Sequence, residues 1–289
     1  MATFTSVVEA IMTPSPTVII TGLLILFIPS IILHFILSSS RTYTSPPAVL
    51  LLGPEGAGKT SLLTLFERGD DGPAATHTTQ STQSVELNAS VDSDSRTSFR
   101  NHDDTTGTYT KFLLIDTPGH GKLRNVAEGK LRRTEKLRAV VFVVDASALG
   151  EQDVLSVTAS YLHDLLLSLQ RRTAATGDKN KPSGPVPVLI AANKMDLFTA
   201  LPATMVRSSL EAELSRIRTS RSKGLLDSGV GADDVGSEEQ DAWLGQYGTE
   251  KFSFKQMQEF GINVEILPGN VKGDGPGAEK WWWWIAQKI

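Results

Sequence analysis

Nine consecutive residues, Gly53-Pro54-Glu55-Gly56-Ala57-Gly58-Lys59-Thr60-Ser61, satisfy the pattern G-x-x-x-x-G-K-[ST] at every fixed position. The chemistry of such a run is that of the backbone. Successive N–H groups curl around a phosphate, and glycines let the chain approach where a Cβ would collide. The Lys59 ammonium would reach the β- and γ-phosphates, and the Thr60 hydroxyl would ligate Mg²⁺. The pattern means little without a strand before it and a helix after it. Ala48 to Leu52 is a short apolar strand, and Ser61 to Arg68 has helical character, with its positive end toward the phosphates.

Two further motifs follow in order. Asp116-Thr117-Pro118-Gly119-His120 closes an apolar run at 111–115. There Asp116 would hold the Mg²⁺ shell through water, and the Gly119 N–H could bond the γ-phosphate, making the next segment sensitive to the nucleotide's state. Alone the pentapeptide is also an ordinary turn; its place after a phosphate loop and a strand gives it meaning. Asn193-Lys194-Met195-Asp196 then follows the apolar run 186–192. The Asp196 carboxylate can accept N1–H and the exocyclic amine of guanine, a pair that adenine lacks. Lys194 would lay its stem across the base, and Asn193 would brace the loop. Together the three motifs predict a GTP-binding domain.

Weaker elements complete the set. The threonine that closes over Mg²⁺ lies within His77 to Thr82, with Thr78 or Thr79 favoured and Thr79 taken as the metal ligand. The late guanine-contacting loop is assigned to Asn270-Val271-Lys272, which departs from the common Ser-Ala-Lys pattern. His120 stands where a water-positioning side chain is needed for hydrolysis. Glu55 would place a second anion near an anionic transition state, and no arginine finger is identifiable by spacing. Slow intrinsic GTP hydrolysis is the expectation.

These loops need a scaffold. Apolar runs at 48–52, 111–116, 139–145, 186–192 and 263–267 alternate with helical patterns near 121–136, 151–171, 201–217 and 277–288, the signature of a mostly parallel α/β sheet with helices on both faces. The polar stretches 69–107 and 219–250 read as surface insertions, the first holding one modest strand near Ser84 to Asn88.

Upstream, Thr17 to Ser38 is dominated by an apolar run from Val18 to Leu37. At 1.5 Å per residue such a helix covers a hydrocarbon core of about 30 Å. A signal peptide would begin with basic residues, yet positions 1–16 hold Glu9 and no Lys or Arg, while Arg41 follows the run. The expected organisation is a short lumenal tail (1–16), a transmembrane helix (17–38), a polar tether (39–47) and a GTPase domain (48–289). The net charge of −4 argues against a general nucleic-acid binder, so no direct DNA binding is expected. With no cysteine in 289 residues, disulfides and thiolate metal sites are excluded.

At this point the chain resembles a family, the β subunits of the signal recognition particle receptor, in a fungal form. The resemblance rests on the N-terminal apolar run, the loop at 53–60, D-T-P-G-H at 116–120, F-V-V-D-A-S at 142–147 and N-K-M-D at 193–196. It extends to Leu214–Arg221, Glu250–Phe254 and Glu279–Trp281 with Ile285-Ala286. It implies a Ras/Arf-like domain that binds GTP and Mg²⁺ and sits in the endoplasmic reticulum membrane as a single-pass protein with its GTPase domain cytosolic. It also implies that the α subunit of the receptor is its partner when GTP is loaded, with ribosome and translocon as further partners in cotranslational targeting. Two other functions stand beside this one: an Arf/Sar-like trafficking switch, and a scaffold whose GTP is never hydrolysed.

Two features have competing readings. The bases between Gly121 and Arg138 form either a solvated face or a nucleotide-gated surface for the partner. Trp281 to Trp284 sweep about 300° of a helix, so Trp281 and Ile285 are expected inside and at least one ring outside.

Overall fold

The computed structural model describes residues 16–40, 46–69, 72–89, 110–174, 185–227, 243–245 and 251–289. The proposed lumenal tail up to residue 15, residues 41–45 of the tether and most of both insertions lie outside them. The chain divides into two units, residues 1–45 and 46–289.

In the first unit, α1 (Pro16–Ser40) runs for 25 residues, about 37 Å of helix, with Pro29 inside it. Ile25, Leu26 and Ile31 are exposed. A groove of about 400 Å³ along it is lined only by Ile20, Leu23, Leu24, Phe27, Ile28 and Ile31, so it offers no polar group. Among the described residues, no helix is long and apolar enough to cross a membrane. The apolar run Val18 to Leu37 extends past the stretch of α1, from Ile19 to Ile32, in which side chains are described.

The second unit is a six-stranded sheet flanked by helices. In chain order its elements are β1 (Ala48–Leu52), α2 (Lys59–Arg68), β2 (Gln83–Ala89), β3 (Thr110–Asp116), α3 (Arg124–Arg133), β4 (Leu137–Asp145), α4 (Gln152–Ala174), β5 (Val188–Asn193), α5 (Ala203–Asp227), β6 (Val264–Pro268) and α6 (Glu279–Lys288). The strand order is β2-β3-β1-β4-β5-β6. Only β2 runs antiparallel, against β3. This is the mostly parallel α/β architecture expected from the apolar runs, and it agrees with the Ras/Arf-like domain that the family resemblance implies.

β1 and β5 are buried at every position, because helices cover both faces. Successive side chains alternate between two cores. Leu50, Leu52, Phe142 and Ile190 join the first, while Val49, Leu51, Val141 and Leu189 join the second. In the parallel arrangement the C-terminal ends of all strands but β2 point the same way. The loops after β1, β3, β4, β5 and β6 therefore gather at one edge.

Three expectations are corrected. The helix near 121–136 is a 3-10 turn (Gly121–Leu123) followed by α3, which stops at Arg133 because β4 begins at Leu137. The insertion expected from residue 219 starts no earlier than 228. α5 continues to Asp227, held through its buried Arg218, whose guanidinium stacks 4.4 Å over Trp243. The tryptophans are the third case. Trp281, Trp282 and Trp284 are all buried, and Trp283 is half-buried rather than exposed. At about 100° per residue, positions 281, 282, 284 and 285 occupy one arc of roughly 160° and Trp283 points away from it. Trp282 fills that arc against Phe66 and Phe112, with ring centroids 5.1 and 6.0 Å away. The Trp281 indole donates to the Leu267 carbonyl at 3.0 Å.

Candidate nucleotide-binding site

The loop 53–58 is shaped by its glycines. Gly53, Gly56 and Gly58 have φ of 136°, 74° and 101°, where L side chains are strained. A Cβ on Gly53 would lie 2.2 Å from the Val143 carbonyl oxygen, and one on Gly58 would lie 2.3 Å from Asn193 Nδ2. Gly58 leads directly into α2, whose first residue is Lys59, so the helix's unpaired N–H groups open onto the loop. Lys59 is buried and its ammonium donates to the carbonyls of Gly53 (2.9 Å) and Pro54 (2.8 Å). Burial lowers its pKa to about 8 from 10.5, against the opposing pull of Asp116 and Glu55. An anion delivered to the loop would relieve that penalty.

Oxygen ligands converge beside it. Thr60 Oγ1 lies 2.6 Å from Asp116 Oδ2 and 2.6 Å from Thr79 Oγ1, and Thr79 Oγ1 lies 3.5 Å from the same carboxylate oxygen. Asp116 is buried, its Oδ1 has no hydrogen-bond partner, and burial pushes its carboxyl up despite the Thr60 hydrogen bond and the nearby Lys59. Two hydroxyls and one carboxylate with an unsatisfied oxygen are hard donors in too small a number to enclose a cation. They suit Mg²⁺, which keeps waters and takes phosphate oxygens as its remaining ligands. Among the described residues no group of three or more His, Cys, Asp or Glu could hold a metal instead. The residues present therefore fit the ion.

A cavity of about 200 Å³ opens here, lined by Glu55, Gly56 and Gly58 to Ser61 on one side and by Thr76 to Thr79 and Gly119 on the others. The strap 72–82 is fastened to the loop and to α2 by side chains. Ser61 and Thr76 hydroxyls lie 3.0 Å apart, Thr78 donates to the Glu55 carboxylate at 3.1 Å, and Thr64 accepts the Ala74 N–H at 3.3 Å. Thus both threonines favoured from the sequence touch the site, Thr79 beside Thr60 and Asp116 and Thr78 on Glu55. Gly119 packs so closely over the loop that a Cβ would lie 2.3 Å from Lys59 Nζ. His120 is different. It is exposed, does not line the cavity, and its Nδ1 accepts the Lys122 N–H at 3.3 Å as the cap of the 3-10 turn.

The two loops expected to contact the base meet through Asn193. Its amide nitrogen donates to the Ala57 carbonyl (2.7 Å), and its carbonyl oxygen accepts the Val271 N–H (3.1 Å). One buried side chain thereby ties the phosphate loop to both loops expected to contact guanine. Asn270 organises the last of these by donating to the carbonyls of Lys272 and Gly273 and accepting from Gly277 N–H. The Asp196 carboxylate faces Gly273, where a Cβ would lie 2.7 Å from Oδ2. Lys194 has φ of 65°, alone among the described non-glycine residues in having positive φ, and its Nζ reaches Asp145 Oδ2 at 2.5 Å. That pair was missed from the sequence. The signal was present, since Asp145 ends β4 as Asn193 ends β5, and the two strands are neighbours in register.

The bases of 121–138 do not form one face. Arg124 stacks 4.8 Å over Tyr161 and donates to the Val157 carbonyl. Lys136 and Arg138 sit instead at the start of β4.

A family model for the signal recognition particle receptor beta subunit matches residues 44–260. The chain belongs to the signal recognition particle receptor β-subunit family. The Saccharomyces cerevisiae β subunit is 27% identical over 282 residues, which is 95% of this chain and 99% of the yeast protein. The mouse β subunit is 31% identical over 232 residues, 80% of this chain and 70% of the mouse protein. Among solved structures, the SRb-GTP/SRX complex of the receptor from Chaetomium thermophilum aligns with a TM-score of 0.71 and 43% identity. The alignment covers 84% of this chain and 100% of that one. The SRb-GDP-Mg structure from the same organism gives 0.63 and 44%, covering 86% and 100%.

Proposed function

We propose that this β-subunit family member binds GTP and Mg²⁺ at the site built by Gly53–Ser61, Thr79, Asp116, Gly119, Asn193–Asp196 and Asn270–Lys272. In that state it holds the receptor's α subunit at the endoplasmic reticulum membrane. The observation that carries this reading is the Asn193 bridge, which makes the guanine-reading loops and the phosphate loop one rigid unit. It agrees with relatives whose structures are described as GTP, GDP and GDP-Mg forms. Mg²⁺ would neutralise charge on the β- and γ-phosphates. The chain's part is to place Thr60, Thr79 and Asp116 around it and Lys59 beside it.

Anchoring by the apolar run 18–37 is part of the proposal, supported by its length and composition and by the helical conformation of Pro16–Ser40. Ribosome and translocon then follow as downstream partners of the receptor pair. Hydrolysis is slow in this reading, because His120 is turned to its own cap and Glu55 adds negative charge at the cavity rim. The test is co-purification of the α subunit from solubilised membranes loaded with GTP, GDP or no nucleotide. Recovery with GTP alone is expected. Equal recovery under all three conditions would leave the non-hydrolysing scaffold as the better description.

A further inference from the structure

The sheet separates charge along its strands. The edge at the strands' C-terminal ends holds the anions Glu55, Asp116, Asp145 and Asp196 around the nucleotide site. The opposite edge is basic. Residues 130–138 contain Lys130, Arg132, Arg133, Lys136 and Arg138, all exposed, against one exposed acid, Glu135. Arg132 is partnered by Glu128 at 3.8 Å, a solvent-exposed pair of little strength. Lys111 is exposed near the start of β3.

Bases in a helix's last turn are commonplace, since they complement its dipole, and Lys130, Arg132 and Arg133 close α3 in that way. Lys111, Lys136 and Arg138 have no such reason. They lie in or just before strands, around the point where the chain enters the domain. Pro47 accepts the Leu113 N–H at 2.8 Å, and the Ala48 N–H donates to the Lys136 carbonyl at 2.9 Å. β1 therefore enters the sheet between the basic starts of β3 and β4. Residues 41–47 separate α1 from β1, a link that reaches at most about 25 Å fully extended.

We infer that this basic edge is a docking surface for anionic phospholipid headgroups, which orients the domain with its nucleotide site away from the bilayer. The inference rests on the anchor proposed above. A net charge of −4 would otherwise repel an anionic surface, so the positive charge has to be gathered at one edge to act. Contact also has to be close, because salt screens such attraction beyond about 10 Å.

The test uses the full chain reconstituted into vesicles of phosphatidylcholine alone or with about one third phosphatidylserine. Carbonate extraction reports the anchor in both. Surface labelling of lysine amines, read by mass spectrometry, reports the docking. At about 0.1 M salt, Lys111, Lys130 and Lys136 should label at least about threefold more slowly on the anionic vesicles, and the difference should vanish near 0.5 M. Lys122, beyond the far end of β3, should not change. The Lys111→Glu, Lys136→Glu double variant, checked for folding by its thermal melt, should make Lys130 labelling independent of headgroup. Equal labelling on both vesicles with the chain resistant to carbonate overturns the docking surface and leaves the anchor standing. Headgroup-dependent labelling of a chain that carbonate strips does the reverse. Protection by single-stranded RNA on neutral vesicles, with none from phosphatidylserine, also overturns the inference.

Discussion

Lys194 Nζ lies 2.5 Å from Asp145 Oδ2, and the other oxygen of that carboxylate accepts both the N–H and the hydroxyl of Ser147. A lysine expected to lie across a base is thus pinned at its tip by the neighbouring strand. The pin holds a left-handed backbone, φ 65°, that only glycine, asparagine or aspartate adopts readily. Asp145→Ala should release it. A tenfold loss of guanine-nucleotide affinity is expected, on the order of 1.4 kcal/mol, read by titration with a fluorescent GDP analogue. Burial raises the Asp145 carboxyl, but hydrogen bonds from Lys194 and Ser147 outweigh it and hold the group below its ordinary range. The stabilisation is therefore complete above an ordinary carboxylate pKa of about 3.9 and disappears as pH falls below it. Acid melts of the wild type and Asp145→Ala should converge there.

Asp196→Asn exchanges an acceptor for a donor where guanine presents two donors. GTP affinity should fall by about a hundredfold or more, roughly the loss of a charged hydrogen bond, and xanthosine triphosphate should become the better ligand. Competition binding distinguishes this from Asn193→Ala. That variant strips partners from Ala57 and Val271 and should weaken both nucleotides alike.

Lys59 sets a pH dependence in the nucleotide-free protein. Its proton leaves near pH 8 in the folded chain and near 10.5 when unfolded, so stability should rise with pH between those values, by at most about 3 kcal/mol. Phosphate binding needs the ammonium, so GDP affinity should decline about tenfold per unit above pH 8. Isothermal titration at several pH values checks the slope. Lys59→Met should melt higher than wild type at pH 7 without nucleotide and bind none.

Glu55 lines the cavity and accepts the Thr78 hydroxyl, so it is placed to act on both the chemistry and the strap. Glu55→Gly should raise unaided single-turnover GTP hydrolysis by about tenfold, the effect of removing a like charge worth on the order of 1 kcal/mol. It should also expose 76–80 to faster amide exchange by freeing Thr78. An unchanged hydrolysis rate would show that Glu55 does not limit turnover.

Trp282→Ala should cost about 3–5 kcal/mol, because the indole is fully buried between Phe66 and Phe112. Trp283→Ala should cost under about 1 kcal/mol. Urea titrations of the two variants check this difference between adjacent, identical residues.

Much of this was legible before any coordinates. A strand, a glycine loop and a helix N-terminus follow from local sequence, because each is decided by φ preferences and by contacts a few residues apart. Thr60, Asp116 and Asn193 could be named because their roles demand specific atoms after specific strands. The reach of α5 to Asp227 was not legible. Its polar surface reads as a loop until Arg218 is seen against Trp243, which lies 25 positions further along the chain.

The sequence by itself determined the nucleotide chemistry, the guanine preference and the α/β framework, since these depend on residue type and order. Only the tertiary structure decided which side chains hold the site in place. The pairs Asp145 with Lys194, Glu55 with Thr78, and Asn193 with Ala57 and Val271 span separations from 23 to 136 positions. It also showed that Lys111 meets the bases of residues 130–138 at one edge. Parallel strands bring residues of equal depth together whatever the length of chain between them, and that is a property of the sheet's register rather than of any local pattern.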